Sequence, residues 1–350
     1  MKRLWFPTLL GLAHGVADGT AGLLLGNLPQ TVSLQEVALL VLVYNLLAFG
    51  GQPVAGLITD RLQRPRWATL TGLSLLGAAL LLAPLNLTGA IMLAGLGSAA
   101  FHVGGGALAL CYTQNRATGP GLFAAPGVAG LALGGVVAAL YGLVIWPFLP
   151  GLLVLMLVLI KLPLPSLPYP DPVDEEPLFE GHDWIMLILL VAIALRSAVW
   201  NIFQIIEAGH FTMLIWLGFA AMIGKIGGGL LADWLGWRRW AVSALLIATP
   251  LLTFGGEYFI TLSLGIALLQ SATPATVALS ARLAPRYPAT VSGLVFGLAI
   301  VLGGTPFLAG PLPVLRSPPI ILMTGMCAAL VLWWATRHHQ GQQIAVIQKQ

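Results

Sequence analysis

The chain has 350 residues, of which 58% are hydrophobic and only 8% are charged, and its mean hydropathy is +0.92. Soluble domains carry roughly a quarter charged residues, so this composition excludes a globular protein that folds in water. The formal net charge of +4 comes from bases in short loops between apolar runs, which excludes the continuous basic surface of a nucleic-acid-binding protein.

Twelve apolar segments follow one another along the chain. Each has roughly the 17–25 residues that a tilted helix needs to cross the hydrocarbon of a bilayer. We therefore predict an all-α multi-pass membrane protein with twelve transmembrane helices. The predicted spans cover residues 4–26, 34–57, 67–85, 88–112, 121–141, 143–162, 183–206, 209–232, 239–255, 257–281, 289–311 and 317–336.

A polar stretch at 163–182, rich in proline and acidic residues, divides the twelve spans into two groups of six. Such a sequence cannot form a core and is typical of a semi-rigid linker. We predict one six-helix bundle over 1–162, a second over 183–336 and a polar tail over 337–350. Nearly all bases fall on one side of this arrangement, so the positive-inside rule puts both termini and the linker in the cytoplasm of a cell membrane protein.

A short motif is repeated in the two halves: a glycine, an aspartate four residues later, and then a cluster of bases. The first copy contains Gly56, Asp60, Arg61 and Arg64, and the second contains Gly229, Asp233, Arg238 and Arg239. The two aspartates lie 173 residues apart, about half the chain. This duplication predicts two homologous bundles related by a pseudo-two-fold axis.

Each repeated aspartate is predicted to take part in a cytoplasmic gate. A carboxylate at a helix end can pair with bases of other helices or accept hydrogen bonds from the backbone N–H groups of a helix N-terminus. Such a contact would form when the cytoplasmic side is shut and break when it opens. The alternative is a positively charged loop that only sets topology and contains an incidental aspartate.

Polar residues of spans 1, 4, 7 and 10 converge at one depth. Counted from the cytoplasmic ends at about 1.5 Å per residue, they lie roughly 18–21 Å deep, near the bilayer centre. They are His14, His102, Arg196 and Gln270. Polar and ionisable groups at this depth are costly and usually face a cavity, so we predict a central site for a small-molecule substrate and protons.

The spacing of these residues suggests their roles. His14 and Asp18 are four residues apart, share a helix face and can form a carboxylate–imidazole pair that holds a proton. Arg196 needs a counter-ion, either Asp18 or an anionic group of the substrate. Trp200, one turn beyond Arg196, is predicted to form an aromatic wall beside it. The alternatives are a permanent Arg196–Asp18 ion pair, histidines that merely link helices, and a Trp200 that packs in the core.

The two glycine–aspartate loops with trailing bases resemble the cytoplasmic signature loop of the major facilitator superfamily. The first copy carries Gln63 where glycine is usual, and the second has Trp234 in place of the usual arginine. The resemblance covers nearly the whole chain. It implies two six-helix bundles, alternating access and a cavity lined by helices 1, 4, 7 and 10.

A narrower resemblance covers mainly residues 10–140. The motifs that carry it are Ala13-His14-Gly-Val-Ala-Asp18, Gln52-Pro53 in the second span, and Phe101-His102. They resemble the fosmidomycin-resistance branch, although Val103 and Gly104 stand where that branch has proline and glutamate. The branch implies proton-coupled export of small molecules, and members also import.

The sequence therefore predicts a monomeric secondary active transporter, with no metal or cofactor, that moves a small organic solute or drug, with export favoured over import. An importer or uniporter of a small anion or metabolite is the alternative. Two further hypotheses are a membrane enzyme that uses His14, His102 and Asp18 as metal ligands or acid–base groups, and a structural homologue without transport. No ATP-binding loop is present in the sequence, so direct ATP drive is not predicted.

Overall fold

The computed structural model describes residues 4–162, 181–207, 209–306 and 312–347, and these residues form helices joined by short turns, without strands. Most of the predicted linker, 163–180, lies outside the described residues, as do 307–311 of the eleventh predicted span. A single helical turn, Leu312–Leu315, precedes the last helix. The helices are α1 Trp5–Thr31, α2 Leu34–Leu62, α3 Pro65–Leu82, α4 Leu87–Tyr112, α5 Thr118–Tyr141, α6 Phe148–Lys161, α7 Gly181–Ile206, α8 Phe211–Leu235, α9 Trp237–Gly255, α10 Phe259–Leu283, α11 Pro288–Gly304 and α12 Pro318–Ile347.

The prediction of an all-α membrane protein is confirmed. Within the described residues, nine helices are long and apolar enough to cross a bilayer, while α6 and α11 are apolar but shorter. Helix α9 begins with Arg238 and Arg239, which lower its mean hydropathy. The twelve helices match the twelve predicted spans in order. Helix α12 runs to Ile347, well past the predicted span end at residue 336, so the described part of the predicted tail is helical.

Two helices contain a π-helical turn, at Leu46–Gly50 in α2 and at Leu294–Leu298 in α11. The two helices lie side by side. The buried apolar residues of α11 belong to a core cluster that comes mainly from the first six helices, with a few residues of α7 and α10. Helix α11 therefore connects the two halves.

Glycines bring α1 and α5 into direct backbone contact. A Cβ atom added at Gly22 would overlap the carbonyl oxygen of Leu131, and one added at Gly130 would overlap that of Gly15. Close approach of helix backbones is what small residues provide in lipid, where burial of apolar side chains gives no preference for one helix over another. This contact fixes the face of α1 that carries His14 and Asp18 against α5.

The turn after α2 contains Gln63, which stands where the signature loop usually has glycine. Gln63 has a φ of 53°, in the left-handed region that favours glycine. Gly236 stands at the equivalent place, three residues after the second aspartate, and has a φ of 95°. Both loops therefore use a positive φ at this place, although ψ is 35° at Gln63 and 133° at Gly236. Only the second loop uses the residue that adopts a positive φ without strain.

Replacing Gln63 by glycine is expected to stabilise the protein by up to about 1 kcal/mol. A residue with a side chain costs roughly 1–2 kcal/mol in the left-handed region, and the greater flexibility of glycine in the unfolded chain offsets part of that gain. Thermal unfolding in detergent measures the change. The control is Gly236→Ala, which should act in the opposite direction; a lower unfolding temperature for Gln63→Gly would contradict the argument.

Candidate functional site

The two repeated aspartates each bind the N-terminus of a helix from the other half. Asp60 of α2 accepts hydrogen bonds from the backbone N–H of Ala289 at 3.0 Å and from the N–H and hydroxyl of Thr290, both at 2.7 Å. We call this contact the Asp60 bridge. A negative charge at this position is stabilised by the unpaired N–H groups and by the dipole of α11.

The second contact repeats the first with the halves exchanged. Asp233 of α8 accepts hydrogen bonds from the N–H groups of Ala117 and Thr118, at 2.8 and 2.9 Å, and from the Thr118 hydroxyl. We call this contact the Asp233 bridge. Its carboxylate also accepts from the indole N–H of Trp237 at 3.0 Å, and the Arg282 guanidinium lies 3.5 Å from the centre of that ring.

The glycine four residues before each aspartate has a steric role. A Cβ atom at Gly56 would lie 2.6 Å from the carbonyl oxygen of Ala289, and one at Gly229 would lie 2.8 Å from that of Ala117. Both distances are shorter than normal contacts. Glycine and aspartate lie on one helix face, so the glycine allows the partner helix to come close enough for the carboxylate to reach its backbone.

The basic residues of the predicted gate do not take part in the hydrogen bonds given above for the two bridges. Arg61, Arg64 and Arg239 are exposed, and Arg238 lies 5.7 Å from the ring centre of Trp333. Arg66, which was not among the predicted gate residues, donates to the carbonyl oxygens of Leu159 and Ile160 at the end of α6.

The partners of the aspartates were missed, although the sequence carried a signal for them. Ala117-Thr118 and Ala289-Thr290 are the same dipeptide, each at the start of a helix and 172 residues apart. That separation nearly equals the spacing of the aspartates. A search for a second duplicated motif could have found both sides of each bridge.

In the interior, the structure brings His14, Asp18 and His102 together. The Nε2 atoms of the two histidines lie 2.9 Å apart. Asp18 Oδ2 is 3.1 Å from His14 Nε2, and Asp18 Oδ1 is 3.7 Å from His102 Nε2. Both histidines are buried, and the carboxylate is largely so. The predicted His14–Asp18 pair is therefore part of a cluster of three residues from α1 and α4.

The hydrogen bonds of this cluster restrict how its protons can be arranged. His14 Nδ1 lies 2.9 Å from the carbonyl oxygen of Phe123, and His102 Nδ1 lies 2.8 Å from that of Ser98. The Ser98 hydroxyl, 3.2 Å from His102 Nδ1, can donate to that nitrogen. A carbonyl oxygen only accepts, so both Nδ1 atoms carry a hydrogen when they bond to the two carbonyls. Two neutral rings would then meet with two bare Nε2 atoms. In this arrangement their 2.9 Å contact holds one additional proton, for which Asp18 is the counter-ion.

The same three side chains have the spacing of a metal site. One donor atom from each lies within 4.8 Å of the others. Histidines that are far apart in the sequence are thus neighbours in space, which the sequence did not show. The absence of a metal ion stays a prediction, because this spacing also admits one.

Arg196 and Gln270 meet at a separate place between α7 and α10. The guanidinium donates to Gln270 Oε1 at 3.0 Å and to the Ser197 hydroxyl at 3.1 Å, and Arg196 is only 5% exposed. Among the described residues, no carboxylate lies within ion-pair distance of Arg196. The permanent Arg196–Asp18 ion pair considered from the sequence is therefore not formed.

A cavity of about 490 Å³ lies farther along α7. It is lined by Trp200 and Gln204 together with residues of α1, α5 and α8, including Gln30 and Leu217. In α8 the lining residues belong to the first turns, whereas Asp233 belongs to the last turn. The cavity is therefore at the end of the molecule opposite to the two bridges.

Comparisons with known proteins agree with this architecture. A search of curated proteins found no match. A variant of the E. coli fucose:proton symporter FucP superposes with a TM-score of 0.70 over 96% of this chain and 98% of that chain, at 14% identity. A structure of FucP in the outward conformation gives a TM-score of 0.68 over 96% and 99%, also at 14% identity. These structures share the fold. Residues 8–311 match the sequence profile of the Major Facilitator Superfamily, and the chain therefore belongs to that family of membrane transporters.

Proposed function

We propose that this chain is a proton-coupled secondary active transporter that moves a small organic solute across the cytoplasmic membrane. The observation that carries the proposal is the contact between His14 and His102, which can hold an additional proton beside Asp18. The three residues come from α1 and α4, two of the helices whose polar residues converge at one depth. A buried group that binds and releases a proton can couple solute movement to a pH gradient.

The two bridges support alternating access as the mechanism. Each joins a helix of the first six to a helix of the second six, and both lie at the end opposite to the cavity. With the bridges closed, a solute can approach only from the cavity end. Opening the bridges would expose the other end, which the positive-inside rule assigns to the cytoplasm together with both termini.

For direction, we propose export in exchange for protons by a monomer, as the resemblance to the fosmidomycin-resistance branch implies. Import together with protons is the alternative, and the superposed structures are of a protein named as a symporter. Membership of the superfamily makes the chain a transporter rather than an enzyme. The enzymatic hypothesis raised from the sequence is thereby answered.

The proposal is tested with purified protein in proteoliposomes. Solutes that raise the unfolding temperature in a library screen are selected, because a ligand stabilises the folded state by mass action. Their flux is then measured with and without an imposed pH gradient. Per proton exchanged, a gradient of one pH unit should support about tenfold accumulation. Accumulation in the acidic compartment indicates exchange, and accumulation in the alkaline one indicates symport.

Two outcomes would contradict proton coupling. A solute flux that does not depend on the pH gradient would rule out proton coupling. A flux that follows the gradient only until EDTA is added would assign the cluster of His14, Asp18 and His102 to a metal ion instead.

A further inference from the structure

We propose that Arg196 and Lys225 bind an oxyanion group of the transported solute, so that the substrates are small organic anions. The inference rests on the proposed transport function and names its substrate class. From the sequence alone, one arginine and one aspartate suit an anion, a zwitterion or a cation equally well. The contacts in the structure decide between them.

The first step concerns the unmatched charge of Arg196. Its two described partners, Gln270 and Ser197, are neutral, and its Nε atom is buried without a hydrogen-bond partner. A buried guanidinium is stable only when its donors are satisfied and its charge is compensated. A carboxylate or phosphate group would do both, because its oxygen atoms match the fork of N–H donors.

The second step is that Asp18 is already engaged. Both of its oxygen atoms face the histidines, at 3.1 and 3.7 Å, and the proton between the rings uses its negative charge. The only acid of the central cluster is therefore not available to Arg196. A cationic solute would find no free carboxylate among the described groups of this site.

The third step adds a second cation. The Lys225 ammonium group of α8 points at the carbonyl oxygen of Ala124 from 3.4 Å, and it lies near enough to Arg196 for the two charges to interact. Two basic side chains thus lie close to each other, and the carboxylate of Asp18 is shared with the two histidines. In surroundings of low dielectric constant, this excess of positive charge favours an anion strongly.

The cavity provides room for the rest of such a molecule. Trp200 lines it and lies one helical turn beyond Arg196 on the same face of α7. A volume of about 490 Å³ falls within the usual range for small-molecule sites. Arg196 does not itself line the cavity, so the charged group of a molecule bound there would have to extend past Trp200, by one helical turn, to reach it.

The experiment compares three compounds of nearly equal size. Benzoate, benzamide and benzylamine carry negative, zero and positive charge, and inorganic phosphate serves as a second oxyanion. Thermal unfolding of the purified full chain in detergent is recorded at neutral pH against the concentration of each. Benzoate or phosphate should raise the unfolding temperature progressively, and the other two compounds should not.

Variants of Arg196 and Lys225 test whether the rise in unfolding temperature comes from anion binding at this site. Arg196→Gln should abolish the response to the anions, and Lys225→Gln should weaken it. Arg316→Gln, which removes the same charge from an exposed loop residue, should respond like the wild type. If Arg196→Gln fails to fold, Arg196→Lys keeps the charge but loses the fork, and should respond more weakly than the wild type.

The inference is overturned if benzamide or benzylamine stabilises as well as the anions, if Arg196→Gln still responds, or if neither anion has any effect. Failure of the transport proposal looks different. In that case the anions bind with the predicted dependence on Arg196, but solute flux is indifferent to the pH gradient. If gradient-driven flux is seen only for neutral or cationic solutes, the transport proposal holds and the inference of an anionic substrate fails.

Discussion

Replacing Gly229 by leucine is expected to hold the helix ends at the Asp233 bridge apart and to stop transport. A Cβ atom at this position would lie 2.8 Å from the carbonyl oxygen of Ala117 and 3.0 Å from the Cα atom of Thr118. Both are backbone atoms and cannot move away like a side chain. The closed state is therefore excluded for leucine, whereas an open state relieves the overlap.

The chain contains its own probe for this opening. Cys111 is half-buried near the end of α4 and close to Asp60, so it should react faster with a maleimide when that end opens. The exposed Cys327 is replaced by serine so that it does not react. The Gly229→Leu variant should label faster than the wild type and show no net solute flux.

A matched control lies two residues away on the same helix. A Cβ atom at Gly227 meets no atom within 4 Å, so Gly227→Leu should label and transport like the wild type. Asp233→Ala tests the same contact without added bulk. Hydrogen bonds to a charged group contribute about 1.5–3 kcal/mol each, so even one lost bond should shift the balance towards the open state at least tenfold. Slow labelling in both Gly229→Leu and Asp233→Ala would show that the bridge does not hold this end closed.

The two bridges show which features of the structure could be predicted from the sequence. The duplicated glycine–aspartate motif predicted two related halves, and the chemistry of a carboxylate left two partners open, bases of other helices or the N-terminus of a helix. The identity of that helix was not predicted, because contacts between helices of different halves depend on their tilt and rotation. Those quantities are set by packing, for example by the glycines of α1 and α5, and no single segment encodes them.

The interior site shows a similar limit, because the sequence indicates the depth of a residue but not the direction of its side chain. Counting residues from the helix ends placed His14 and His102 at one depth, and the structure puts their Nε2 atoms 2.9 Å apart. The same count placed Arg196 at this depth, but depth says nothing about which way a helix face points. Arg196 turns to Gln270 rather than to Asp18, and Lys225 of α8 faces α5.

Replacing Asp18 by asparagine is expected to abolish coupling to the pH gradient while leaving the protein folded. The carboxylate is the counter-ion for the proton between His14 and His102, and an amide carries no negative charge. The cluster would then keep two neutral rings, and one of them must turn to remove the contact between bare nitrogen atoms. Gradient-driven accumulation, about tenfold per proton and pH unit in the wild type, should fall to none.

The measurement separates coupling from binding. Exchange of labelled for unlabelled solute at equal pH needs no net proton movement, so Asp18→Asn should retain it, whereas accumulation against a gradient should be lost. His102→Gln should weaken coupling through the other ring. Glu257→Gln removes an exposed acid far from the cluster and should leave both activities unchanged. If Asp18→Asn accumulates solute as the wild type does, the proton must be carried elsewhere, and the three-residue cluster is then a structural link between α1 and α4.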